Sequence, residues 1–234
     1  MGNSPPTPPD DITSKQIQTI LAGWGKQHFR PFPWRTPLKE WHGLIAEILL
    51  QRTRAANVIP VYQIFIQRFP LPQQLGMASV EEIENIIRPL GLHWRAPLLK
   101  KLGQKLSEND GCVPHDEQAL NSLPGVGAYV TAAFLSLHAG VRSIIIDSNI
   151  VRFVGRLSDC LVDGETRRKK WLIAYVEALT PLNDINVFNY ALLDFTMEVC
   201  TTIPKCDICP LGERYCAYRK RNIAEKTPNE CGII

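Results

Sequence analysis

The stretch Ala119–Arg156, ALNSLPGVGAYVTAAFLSLHAGVRSIIIDSNIVRFVGR, constrains the fold more than any other part of the chain. Leu123-Pro124-Gly125-Val126-Gly127 reads as a tight turn. Proline fixes one φ, and two glycines two residues apart allow backbone angles that a Cβ resists. The turn runs into an apolar helix whose free N–H groups and positive dipole end suit a phosphate. Upstream, HDEQALNSL reads as a helix, so 115–138 is expected to be helix, hairpin turn, helix. A plain helix–helix connection is the other reading of the turn alone, and neither GxGxxG nor GxxxxGK[ST] is present. After Gly140 the apolar run Ile144-Ile145-Ile146 delivers Asp147 to a further helix carrying Arg152 and Arg156. An aspartate there serves as an N-cap. A carboxylate held partly dry also acts strongly on a nearby cation, and the two roles are compatible.

A second carboxylate stands out earlier. WHGLIAEILLQRTR, 41–54, has Leu44, Ile45, Ile48 and Leu49 at helical spacing, with Glu47 among them. A carboxylate on an apolar face is costly unless paired or neutralised. Burial favours its protonated form, which could serve as a general acid. An exposed glutamate on the polar side is the alternative. Gln51 and Arg52 end this helix, as dipole-complementing polar groups or as groups that enter a duplex. Before it, His28–Arg35 (HFRPFPWR) reads as a rigid extended loop, with Phe32 and Trp34 as packing and Arg35 near DNA.

Cysteine placement matters more than cysteine number. Cys200, Cys206, Cys209 and Cys216 are spaced C-x5-C-x2-C-x6-C, while Cys112, Cys160 and Cys231 are scattered. An odd count without a signal sequence argues against a disulfide scaffold. Four thiols this close suit a soft metal centre. Zinc is the competitor, but zinc ribbons use two separated CxxC pairs and this loop has one, which suits a [4Fe–4S] cluster better. Arg214, Arg219, Lys220 and Arg221 follow as a basic surface. A net charge of +3 permits nucleic-acid binding without arguing for it. No apolar run approaches twenty residues, so a cytoplasmic, nucleoid-associated chain with no membrane partner is expected.

LPGVGAYVTAA followed by the Asp of IIIDSNIVR resembles the helix-hairpin-helix–Gly-Pro-Asp signature of base-excision DNA glycosylases. FPWR, EILLQRT, D-x-N-x-x-R, FNxxLxDF and the four cysteines extend the resemblance over roughly 24–218. The nearest patterns are the endonuclease III and MutY types and the small thymine/uracil:guanine mismatch enzymes. The resemblance implies an all-α, two-lobed fold with a C-terminal [4Fe–4S] loop. The lobes would be 38–150, and 15–37 with 151–224, flanked by tails 1–14 and 225–234. It implies a monomer acting on double-stranded DNA that contains a mismatched base.

The resemblance also implies roles. Asp147 would stabilise the sugar cation. Glu47 would lie in the base pocket with Tyr129. Gln51, Arg52 and either His93 or Trp94 would enter the duplex. Leu123, Gly125, Gly127, Arg35 and Arg152 would contact DNA, and the four cysteines would hold the cluster. Three departures bear on it. GLHWR stands where MutY-type enzymes have GLGYY. The family's cysteine spacing, C-x6-C-x2-C-x5-C, has one residue moved from the first gap to the last. Tyr129 stands where bifunctional relatives carry the lysine that forms a Schiff base, so a monofunctional glycosylase is expected. Arg52 in place of a second glutamine, and a chain that stops after the cysteines, lean toward thymine or uracil opposite guanine. Adenine opposite guanine or 8-oxoguanine is the alternative.

Overall fold

The computed structural model describes residues 5–36, 39–91 and 93–226. Among these residues thirteen α-helices follow in order: α1 Asp11–Gln27, α2 Glu40–Leu50, α3 Ala55–Arg68, α4 Pro72–Met77, α5 Val80–Ile87, α6 Ala96–Ser107 and α7 Glu117–Asn121. Then come α8 Ala128–Leu137, α9 Ser148–Leu157, α10 Lys170–Leu179, α11 Ile185–Glu198, α12 Gly212–Tyr215 and α13 Ala217–Lys226. Short 3-10 turns, His93–Arg95 among them, complete the regular structure, and no strand occurs among the described residues. The chain forms two compact units, 31–143, and 1–30 with 144–234. The boundaries expected from the sequence lie seven residues further along at both crossings.

Unit 31–143 is built on α2, apolar on nearly every side and buried from Trp41 to Leu49. It packs on α3 and α8 around Leu44, Ile45, Phe65, Phe69 and Phe134, each 0 % exposed. Trp34 is buried edge-on to Tyr62, so the aromatic loop belongs to this core. Helix α4 is opened by Pro72 at a position where its missing N–H costs nothing. Ser79 caps α5 by accepting from the Glu82 amide at 3.1 Å.

The other unit packs α1 against α11, with α9 and α10 alongside. Trp24 and Phe153 both meet Phe195 edge-on. Gly25 permits the approach, since a Cβ there would lie 2.3 Å from Ala191 Cβ. Helix α1 begins at Asp11, inside the stretch read as a tail, because the Asp10 side chain caps it by accepting from the Thr13 amide. Residues 1–4 and 227–234, including Cys231, lie outside the described residues, so most of the expected C-terminal tail does too.

Candidate functional site

The hairpin lies in unit 31–143. Asp116 caps α7 through the Ala119 amide, and Thr131 of α8 donates to Asn121 of α7 at 3.0 Å, fastening the two helices. Gly125 takes φ +77°, where glycine is favoured. Gly127 does not: its φ of −110° is open to any residue, and a Cβ there would meet nothing within 4 Å. Both glycines are exposed at the N-terminal end of α8, and their amides donate to no group among the described residues. Leu123 is buried in the core, so any DNA contact it makes is through its backbone. Tyr129 sits in the first turn of α8, half-buried against the same core.

Helix α2 stops at Leu50, four residues short of the expected end. Gln51 turns extended and Arg52 takes φ +62°, so both occupy a turn instead of a helical face. A positive φ on arginine is a strained conformation of the kind that collects at functional sites. The exposed pair His93-Trp94 is tied to this turn by Arg95. The buried Arg95 guanidinium donates to the Ile48 carbonyl at 2.9 Å and lies 5.0 Å from the centre of the Trp94 ring. Burial, with the charge of Arg52 behind it, pushes the Arg95 guanidinium below its usual range. Arg35 stacks on the Phe32 ring at 5.0 Å.

Glu47 is 3 % exposed, as its apolar setting implied. It is not isolated. Its Oε1 lies 2.9 Å from Nε2 of His138, whose side chain is fully buried at the end of α8. Gly43 makes room for that ring, since a Cβ there would fall 2.5 Å from His138 Cγ. Sequence reading missed His138. A histidine closing an apolar helix is a signal, but its partner lies 91 residues away.

Asp147 belongs to the other unit and is the N-cap of α9. Its Oδ1 accepts from the Ile150 amide at 2.7 Å, and its Oδ2 from Asn149 Nδ2 at 2.8 Å. Asn149 Oδ1 in turn accepts from Arg152 at 3.1 Å. Arg152, expected to meet DNA, directs its guanidinium inward, donating to the carbonyls of Thr196 and Cys200. Thus the carboxylate is joined by two side chains to the first cysteine of the loop.

The four cysteines line one cavity with Phe153 and Phe195, and none is in a disulfide. Arg156 donates to Cys200 Sγ at 3.4 Å and to the carbonyls of Thr201 and Thr202. Burial pushes the thiols of Cys200, Cys209 and Cys216 up, Cys216 to about 11. Among the described residues no three His, Cys, Asp or Glu side chains are placed to hold a single metal ion. Four thiols on one cavity are a donor set of the kind a thiolate-bound metal centre takes.

Residues 45–191 match the model of the HhH-GPD superfamily of base excision DNA repair proteins. The chain belongs to this superfamily. Among relatives, the thymine/uracil-DNA glycosylase of Pyrobaculum aerophilum is 38% identical, over 91% of this chain and 96% of its own. The adenine DNA glycosylase of Buchnera aphidicola subsp. Baizongia pistaciae is 34% identical over 86% of this chain, which spans 58% of that relative. A solved structure, that of a thermostable thymine-DNA glycosylase, superposes with a TM-score of 0.82 at 30% identity, over 90% of this chain and 98% of that one.

Proposed function

We propose that the chain is a monofunctional mismatch DNA N-glycosylase of base excision repair that releases thymine or uracil opposite guanine. The observation that carries this reading is full-length similarity to a thymine/uracil-DNA glycosylase, with a tyrosine at position 129. The second reading, adenine opposite guanine or 8-oxoguanine, draws on the similarity to adenine glycosylases.

The open amides of Gly125 and Gly127 and the N-terminal end of α8 bind a phosphate. Gln51 and the exposed Arg52, with either His93 or Trp94, enter the duplex and fill the space left by the extruded nucleotide. Glu47 and Tyr129 hold the base. The C1′–N bond breaks and its electron pair leaves with the base. Asp147 offsets the positive charge left on the sugar. Water adds to C1′ and loses a proton, giving a free base and an abasic strand. A phenol at Tyr129 supplies no amine for an imine with the sugar, so the strand is not nicked.

The four cysteines are assigned a [4Fe–4S] cluster. Their shared cavity, their freedom from disulfides and the N–H of Arg156 on Cys200 Sγ support that assignment. The cluster would supply structural cross-linking or redox sensing, and no hydrolytic step runs through it. Iron and zinc analysis of the purified protein decides between the two metals.

End-labelled duplexes with T:G, U:G, A:G and A:8-oxoguanine pairs test the activity. Alkali-dependent breaks in the T or U strand are expected. Breaks without alkali would assign a lyase, breaks at A would assign the adenine reading, and no break on any duplex would remove the glycosylase.

A further inference from the structure

His138 sits in an apolar setting, with the Phe134 ring stacked 6.2 Å away. Its Nε2 meets Glu47 Oε1, and its Nδ1 is buried with no hydrogen-bond partner among the described residues. Together these two facts locate the proton. An imidazolium would bury an unpaired charged donor at Nδ1. A neutral ring protonated on Nδ1 would bury an unpaired donor too, and would set two acceptors face to face if Glu47 is ionised. Only the neutral ring protonated on Nε2 gives Glu47 a donor and leaves Nδ1 as a bare acceptor.

We infer that His138 is a neutral Nε2–H donor that holds Glu47 as a carboxylate, and thereby selects bases with an imide N–H over bases that must be protonated to leave. Thymine and uracil present such a donor at N3. Adenine has no imide: its ring nitrogens N1, N3 and N7 are acceptors, and its one donor group is the exocyclic amine. With Oε1 engaged by His138, Oε2 is the oxygen left to accept the imide proton. A donor on the first oxygen opposes protonation of the second. His138 is thus a positioning residue that acts through Glu47, and the inference rests on Glu47 reading the base as proposed above.

The neighbouring groups are compatible with this. Tyr62, on α3, is pushed up to about 12 by burial and by the charge of Glu47, so its hydroxyl keeps its proton. His42, on α2, is pushed below its ordinary range by burial. His115 lies beyond Phe134 at the surface, 2.9 Å from Glu40, and a His115→Gln control removes its titration.

The test combines 15N NMR of the His138 ring with single-turnover base release by His138→Gln and His138→Leu, between about pH 6 and 9. In the wild type only Nε2 is expected to carry a proton across that range. Glutamine can still donate to Oε1, and its uracil rate is expected within about threefold of wild type. Leucine leaves Glu47 without a donor. Its uracil rate is expected to fall roughly tenfold or more near neutral pH and to recover as pH rises and Glu47 ionises. A protonated Nδ1 overturns the inference, as does a leucine profile parallel to the wild type. Should His138→Leu not fold, the glutamine variant and the NMR spectrum decide. If the wild type releases neither uracil nor thymine, the functional reading falls, while the NMR result still judges the His138 pair separately.

Discussion

The two carboxylates are held in opposite ways. Glu47 is enclosed in apolar packing and, among the described residues, hydrogen-bonds to the buried His138. Asp147 is half-exposed and sits at the end of a hydrogen-bonded series through Asn149 and Arg152 to the Cys200 carbonyl. A single partner in a dry setting controls charge. A series of polar groups controls position, because moving one member strains the next. The two arrangements suit the two tasks proposed for them, reading a base and meeting a sugar cation. The contrast extends to the cations. Arg152 and Arg156 serve the protein's own carbonyls, and Arg221 pairs with Asp159 at 2.9 Å. Arg52, by contrast, stands exposed on a strained turn.

Asp147→Asn tests the sharper half of that contrast. Asparagine is as good an N-cap as aspartate, so the fold is kept and α9 stays capped. Base release is expected to fall by about 10²–10³, the usual loss when one group stabilising developing charge is removed. A single-turnover assay beside a melting curve reads both effects. Arg152→Ala should come next. It leaves the Thr196 and Cys200 carbonyls short of a donor, at about 1–3 kcal/mol for a buried acceptor. A lower melting temperature and lost iron are expected together. Unchanged iron would separate the cysteine loop from Asp147.

Smaller effects probe the Glu47 side. Gly43→Ala drives a methyl into the His138 ring and should cost about 1–3 kcal/mol in denaturant unfolding, the typical price of overpacking. Trp94→Ala, at an exposed position, should leave stability within about 0.5 kcal/mol. It should weaken duplex binding by about 1–3 kcal/mol if Trp94 stacks on a base, which a fluorescence titration would detect. The smallest effect is alkaline. Tyr62 is raised from near 10 to about 12 in the folded chain. Its contribution is therefore fully present below pH 10 and is lost as pH rises toward 12. Tyr62→Phe should flatten that limb of the stability profile.

Much of this was legible in the sequence, for identifiable reasons. Helical periodicity around 41–49 and the glycine turn at 123–127 are local signals, and both elements formed where expected. Asp147 as an N-cap followed from its place after an apolar run. Other features were not local. At the end of α2 the Ile48 carbonyl accepts from Arg95, 47 residues away in the chain. The inward turn of Arg152 depends on carbonyls 44 and 48 residues later. His138 acquires meaning only beside Glu47. Nothing in the spacing of charged residues distinguishes a cation that serves the backbone from one that faces solvent.

The most direct test of the central claim is to identify the products by mass spectrometry, with enzyme in excess over a mixture of U:G, T:G and A:G duplexes. Free uracil and thymine, with each product strand intact and lighter by one base, are the predicted result. Free adenine, or strands already cut before any alkali is added, would contradict it.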